Sequence, residues 1–423
     1  MNSKALMIVT TSFPYGQGES FVEAELAYVA ERFDDVTLVP CFVSAQLPLR
    51  TTRHLVELSY TEARWGAGRV FHVIASFVAA LFRHRWLGEA WSILGRAHRL
   101  QNMKELARSL YRARLFEQFL ERQFANGKRY DMIYFYWITP EIAGALSFRK
   151  KSSLAAAKQL KIVARAHGGD LYEHLRPGGY AGLTAPIITG LDAIFCISEH
   201  GRKYLTQRYP AHAAHFHLAR LGVEDPGFTS PQSQGNSLSI LSCAFMNPGK
   251  RLHLIVEAID VLLTKYPGLS VRWTHIGDGE LFAQLQSQAN RVLGSRGAQV
   301  VFKGYMKQAE LVNYYRDAAF DLIVSVSEAE GIPVSLMEAC SVGIPMVATD
   351  VGGSGEIVHA GNGALIAENA STEAIAEAFV IFLDKELAKK FRVRARADWH
   401  TLFYARSNYA SFAQALLRSM EPS

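Results

Sequence analysis

Glu330 and Glu338 sit eight positions apart in "EGIPVSLME", with a proline-led run of helix formers between them. Pro333 suits a first helical turn, where its fixed φ fits and its missing N–H would have been an orphan. The spacing therefore predicts a helix opening near Pro333, with Glu330 and Gly331 in the loop before it. That loop follows the apolar run "FDLIVSVS" and so lies at the carboxyl end of a parallel strand, where open α/β sheets bind ligands. The free N–H groups of Val334, Ser335 and Leu336 then point into the same crevice with the positive end of the helix dipole, which suits a phosphate. Glu338 would repel that anion, but its two oxygens match a vicinal diol whose hydroxyls donate to both. A ribose beside a diphosphate supplies that diol, and Glu330 would face whatever is attached to the diphosphate. Together the acids describe an activated nucleotide donor. The plainer alternative is an acid pair that complements a helix dipole, worth about 0.3–1 kcal/mol each.

Other loops carry compatible chemistry. "NPGKR" (247–251) places Lys250 and Arg251 after an apolar run, where cations could neutralise a diphosphate leaving group. "ATDVGGSGEIV" (348–358) puts Gly352 and Gly353 after another such run, permitting close backbone approach to a ligand. Nearer the start, "TSFPYGQGES" (11–20) bears Gly16 and Gly18, and "ARAHGGD" (164–170) sets His167 at a strand end. "GDG" at 277–279 reads first as a tight turn. No D-x-D triplet occurs, so the usual carboxylate pair for a divalent metal is missing and metal-independent chemistry is expected.

The elements that must position these residues follow from periodicity. Apolar runs alternate with amphipathic, helix-length stretches: "ALMIVTT" then "ESFVEAELAYVAERF", "DMIYFYW" then "TPEIAGALSFRK", "KIVARAHG", "DAIFCIS" then "EHGRKYLTQRY". The pattern lapses at "VEDPGFTSPQSQGNS" (223–237), read as a linker, and restarts with "LSILSCAF". Two doubly wound α/β sheets in tandem are implied, each Rossmann-like. With 423 residues, about half apolar, two cores are affordable. Cys41, Cys196, Cys243 and Cys340 lack metal-ligand spacing and read as reduced core residues. The first apolar run, Ala5 to Val9, is too short for a signal sequence, and Val70 to Phe82 too short for a membrane span, so a cytoplasmic protein is expected.

Around these residues the sequence resembles the large retaining glycosyltransferase family with the GT-B fold, often numbered four, particularly its bacterial members that build surface polysaccharides. "SEAEGIPVSLMEACSVGIPMVATDVGGSGEIV" (327–358) carries most of the likeness, with "HIGDGEL", "VVFKGYM" and "NYYRDAAFDLIVSVS" in the family's order. The resemblance is strong over 236–395 and looser over 1–225. It implies two Rossmann-like domains facing an interdomain crevice: an acceptor-side domain over 1–225, a nucleotide-sugar domain over 226–395, and a terminal segment, 396–423, packing back on the first. It also implies that Glu338 binds the donor ribose and that Glu330 lies by the transferred sugar. The backbone of Gly331, Ile332, Pro333 and Val334 would hold sugar hydroxyls, with Ser335 and Leu336 near the phosphates. Lys250 matches the basic residue on the diphosphate, Tyr305 lies in the loop that meets the base, His167 matches a histidine near the reacting sugar, and Gly16 and Gly18 match a loop near acceptor and phosphates. Many members have an arginine where this chain has Phe245, so Arg251 is the candidate second cation.

The implied function is transfer of a sugar from a nucleotide-diphosphate donor, UDP- or GDP-linked, to a saccharide, lipid-linked at the inner membrane face, with no separate cofactor. Epimerases and phosphorylases share the two-sheet plan, and a non-catalytic subunit that binds nucleotide sugars is a rival of another class. The net charge of +6 is concentrated. Between 61 and 129, thirteen Lys and Arg face five Glu, which reads either as a solvated helical excursion or as a surface for anionic headgroups. No recognised nucleic-acid motif accompanies that charge, so nucleic acid is not an expected partner.

Overall fold

A computed structural model describes residues 4–16, 18–43, 47–64, 73, 87–96 and 98–421. The chain divides into two compact units, residues 1–219 with 409–423, and residues 220–408. Each is a parallel sheet with helices, as the alternation of runs predicts.

In the first unit the elements run β1 (Ala5–Thr10), α1 (Ser20–Ala30), β2 (Asp35–Pro40), β3 (Leu55–Val56), α2 (Ser59–Arg64), α3 (Leu87–Leu94), α4 (Arg99–Ala125), β4 (Met132–Phe135), α5 (Glu141–Lys151), β5 (Lys161–Ala166), β6 (Ala193–Cys196), α6 (Glu199–Arg208) and β7 (Phe216–Leu218). The sheet order is β3-β2-β1-β4-β5-β6-β7, so the strand order reverses between β1 and β4. Strands β4 and β6 are buried at every position, as central parallel strands covered on both faces must be.

The second unit runs β8 (Ser237–Cys243), α7 (His253–Lys265), β9 (Ser270–Ile276), α8 (Phe282–Leu293), β10 (Gln299–Phe302), α9 (Gln308–Asp317), β11 (Leu322–Ser325), α10 (Val334–Ser341), β12 (Met346–Thr349), β13 (Gly363–Ile366), α11 (Thr372–Val380) and α12 (Lys385–Leu402), and α13 (Ala405–Met420) begins in it and passes into the first. Its order is β10-β9-β8-β11-β12-β13, with the reversal between β8 and β11. Helix α7 buries Ile255, Val256, Ile259, Leu262 and Leu263, a stripe at helical spacing that seats it on the sheet.

Two boundaries differ from the sequence reading. The supposed linker at 223–237 is part of the second unit. Val223 N–H donates to Phe403 O at 2.8 Å and Ser230 N–H to Val342 O at 2.9 Å, while Arg392 donates to Ser230 O. The stretch is held by polar backbone bonds, so its want of apolar residues misrepresents it. At the other end, helix broken near Phe403 replaces a single terminal segment, and only residues from Tyr409 onward join the first unit. There Phe412, Ala413 and Leu416 enter its core.

The basic segment is helical where described, but not all of its charge faces outward. Arg64 and Arg112 both pair with the buried Glu141, which also accepts the Tyr60 hydroxyl at 2.6 Å. Burial alone would raise the Glu141 pKa, yet Arg112 and Arg64 outweigh it and hold the carboxyl down at about 2. Arg69, Arg83, Arg85 and most of the apolar run 70–82 lie outside the described residues. All four cysteines are free, with Cys41, Cys196 and Cys340 buried.

Candidate functional site

In the second unit the loops after β8, β11 and β12 are laced together at the carboxyl ends of adjacent strands. Lys250, from the loop after β8, donates to Glu330 Oε1 at 2.5 Å from the loop after β11. Glu328 N–H meets Gly249 O at 2.8 Å, and Gly353 N–H meets Gly331 O at 3.1 Å. Lys250 and Glu330, eighty positions apart in the chain, thus meet at the reversal point of the strand order, where doubly wound sheets hold their ligands. Neither residue is fully buried, with side-chain exposures of 25% and 12%, so the ammonium is neutralised yet accessible.

Arg251 does something other than expected. Its guanidinium donates to Val326 O at 2.7 Å, Ser327 O at 3.0 Å and Glu368 O at 2.8 Å. It clips the loop beneath the site from a left-handed backbone conformation, φ +47°, and its donors are engaged by protein carbonyls. Phe245, in the position of the family's arginine, is 67% exposed. Lys250 is therefore the cation that the structure leaves facing the site among the predicted pair.

The glycines also have a different task. Gly352 adopts φ +53°, and a Cβ there would fall 1.7 Å from Glu330 O. Its missing side chain lets the β12 loop pack on the backbone that carries Glu330. Likewise a Cβ at Gly277 would lie 1.9 Å from Ala244 O, and one at Gly279 would lie 2.6 Å from Met246 O. The "GDG" turn supports the loop that leads to Lys250. Below it, His275 Nε2 donates to Ala244 O at 3.2 Å and Nδ1 accepts from Ser242 at 2.8 Å, and burial holds the ring neutral, its pKa lowered to about 4.

Helix α10 begins one residue later than the sequence predicts, with Pro333 as its N-cap at φ −75°, ψ 108°. Pro333 has no N–H to offer, and Leu336 N–H already donates to Pro333 O at 3.1 Å. The amides of Val334 and Ser335 remain the leading donors of the helix, alongside those of Gly331 and Ile332 in the loop. Glu338 lies in the helix's second turn. The residue is partly buried, and burial lifts its pKa to about 7 against the opposing hydrogen bond from Gln308. The neighbouring Tyr315 hydroxyl is buried without a partner. Burial first, then the Cys243 and Glu338 charges, make the Tyr315 proton harder to remove, and burial followed by the Glu338 charge does the same for the Cys243 thiol. Such a carboxyl gains most from hydroxyl donors. Tyr305, after β10, is 46% exposed.

The first unit places His167 at the end of β5, side chain 6% exposed, with Nδ1 3.8 Å from Asp170 Oδ2 and neither ring nitrogen hydrogen-bonded. Gly16 and Gly18 are held through their carbonyls by Arg50, at 2.8 and 2.5 Å. Sequence reasoning missed Arg50, Asp170, Trp137 and Gln308, and quoted Glu19 within its motif without giving it a role. A lone Arg, Trp or Gln carries no spacing signal. Glu19 could have been suspected, being an acid inside a glycine-bearing loop.

Residues 228–398 match the family model described as "Glycosyl transferases group 1". The amylovoran biosynthesis glycosyltransferase AmsK of Erwinia amylovora is 31% identical over 214 residues, covering 49% of this chain and 51% of that protein. The putative colanic acid biosynthesis glycosyltransferase WcaL of Salmonella typhimurium is 31% identical over 188 residues, covering 42% and 45%. The chain thus spans about half the length of the curated relatives it matches. Among solved structures, a glycosyltransferase from Rickettsia africae superposes with a TM-score of 0.67 at 15% identity, covering 100% of both chains. Anabaena Alr3699/HepE in complex with UDP gives 0.63 at 15%, covering 98% of this chain and 100% of that one.

Proposed function

We propose that the chain, whose residues 228–398 match the group 1 glycosyl transferases, transfers a sugar from a nucleotide-diphosphate donor to a saccharide in bacterial surface-polysaccharide synthesis. The observation that carries this is the Lys250–Glu330 pair at the reversal point of the second sheet, with Glu338 on the helix that follows. When a nucleoside diphosphate leaves a sugar, negative charge grows on the phosphates and positive charge on the anomeric carbon. Lys250 and the Val334 and Ser335 amides answer the first; Glu330, beside Lys250, stands ready for the second. Glu338 accepts the ribose hydroxyls. The family likeness assigns His167 to the reacting sugar. The names of the relatives, which concern amylovoran and colanic acid, support a polysaccharide product, and the family likeness supports retention of anomeric configuration without a metal.

Release of nucleoside diphosphate from a panel of UDP- and GDP-sugars, with a saccharide acceptor and EDTA present, tests the reading. Lys250→Ala should lower kcat at least about a hundredfold, the scale of losing one charge-stabilising donor, and product NMR should show the donor's anomeric configuration. Turnover without any new glycoside would favour the epimerase or hydrolytic alternative.

Peripheral binding at the inner face of the membrane, to reach a lipid-linked acceptor, is a further part of the proposal. In the described part of the basic segment Trp91, Leu94 and Leu100 are exposed, as are Arg99, Lys104 and Arg108. Among the described residues no helix is long and apolar enough to cross a membrane. Co-sedimentation with phosphatidylglycerol vesicles at low salt, weakened by high salt, is the expected result; equal recovery with neutral vesicles would remove the electrostatic argument.

A further inference from the structure

The first unit bridges its own reversal point with other chemistry. Glu19, from the loop after β1, accepts the indole N–H of Trp137, from the loop after β4, at 2.6 Å. The same carboxylate accepts the N–H groups of Thr11, Ser12 and Phe13 at 3.0, 2.7 and 2.8 Å. Its backbone sits at φ +55°, a left-handed conformation that glutamate adopts only where its surroundings hold it. From the other side Asp170 accepts Ile138 N–H at 2.8 Å and His167 N–H at 2.7 Å. Two acids therefore fix Trp137, one through its ring and one through the next residue's backbone.

What they fix it against is a set of polar atoms without partners. The Trp137 and His167 ring centroids are 4.1 Å apart, tilted by 37°, and Tyr136 lies 5.0 Å from the same imidazole. Both His167 nitrogens and the Tyr136 hydroxyl are buried without a hydrogen-bond partner. Buried polar atoms are nearly always paired, so three orphans together need a supplier. Trp137 is not itself sealed off; it keeps part of its surface exposed. A partly exposed indole lying over buried, unpaired donors and acceptors suits a pyranose ring, whose C–H face stacks on the indole.

We propose that Trp137 is the platform on which the first unit stacks the acceptor saccharide, and that Glu19 is the positioning residue that holds it there. The inference rests on the glycosyltransferase reading, because that reading is what calls for an acceptor sugar. Its plain competitor is an aromatic cluster that only fills space.

Saturation-transfer NMR on the full chain, with the methyl glycosides of glucose, galactose, mannose and N-acetylglucosamine as probes, separates the two. At least one glycoside should bind, and Trp137→Ala should weaken it about tenfold or more. Trp137→Phe should keep more of the binding than Trp137→Leu, which matters if the alanine variant fails to fold by circular dichroism. Glu19→Gln should weaken glycoside binding while affinity for the free nucleotides UDP and GDP, followed by calorimetry, stays unchanged in every variant. No glycoside binding by the parent chain, or equal binding by the Phe and Leu variants, would overturn the platform. Absence of nucleotide-sugar binding by the parent chain would instead overturn the glycosyltransferase reading.

Discussion

Glu338 combines two properties that pull against each other: a carboxyl whose burial lifts its pKa to about 7, and a proposed task, binding the donor ribose, that needs the ionised form. A ribose donating two hydrogen bonds favours the carboxylate, so donor binding should release a proton near neutrality. Affinity is expected to rise between about pH 6 and pH 8 as the free carboxyl ionises, and Glu338→Gln should flatten that rise. Calorimetry in buffers of different ionisation enthalpy measures both effects. Glu338→Ala should weaken donor binding by about 1.5–3 kcal/mol, the scale of hydrogen bonds to a charged group. The same burial sets a sign for stability. A carboxyl raised from 4.5 to about 7 favours the protonated fold, so its stabilising effect is present below its unfolded pKa and fades as pH rises through 7. The type and spacing of Glu330 and Glu338 were legible in the chain because both lie in one short segment. The engagement of Arg251 was not, since its carbonyl partners at 326, 327 and 368 come from elements far along the sequence.

Among the elements, the loop after β12 shows how a glycine can serve a site by letting one loop pack on another. Gly352 combines φ +53° with a backbone oxygen where a Cβ would stand, so Gly352→Ala meets strain and a clash together. It should cost about 2–4 kcal/mol and shift the Glu330 loop, so that thermal unfolding and donor affinity fall together. A fall in affinity with unchanged stability would point instead to a direct ligand contact, the role its sequence first suggested. Strand and helix order was readable wherever periodicity was strong. The short strands β3 and β7 carried no clear alternation, and the 223–237 stretch looked like a linker because its contacts are polar and backbone-borne.

For the molecule as a whole, the division into two units is not the division of the sequence. The chain leaves the first unit at Ala219 and returns to it at Tyr409. There Phe412 and Leu416 are 2% and 0% exposed, and Phe412 lies under the Arg165 guanidinium at 4.3 Å. Arg165 in turn pairs with the buried Glu25, which accepts the Tyr134 hydroxyl at 2.6 Å. Removing residues 409–423 should destabilise the first unit by about 5 kcal/mol or more, the cost of losing a buried Phe and Leu together. The second unit's transition should stay where it is, and calorimetry would resolve the two; a joint shift would contradict this assignment.

By itself the sequence determined the class of fold, through the alternation of apolar runs and amphipathic stretches, and the acids of the proposed donor site, through a motif compact enough to survive as a string. Both are local properties. The tertiary structure decided which cations and glycines are engaged by the protein itself, and it paired Lys250 with Glu330 and Glu19 with Trp137. The physical reason is the same each time: a doubly wound sheet brings the ends of its strands β1 and β4, or β8 and β11, side by side, and residues about a hundred positions apart become neighbours only once that sheet has formed.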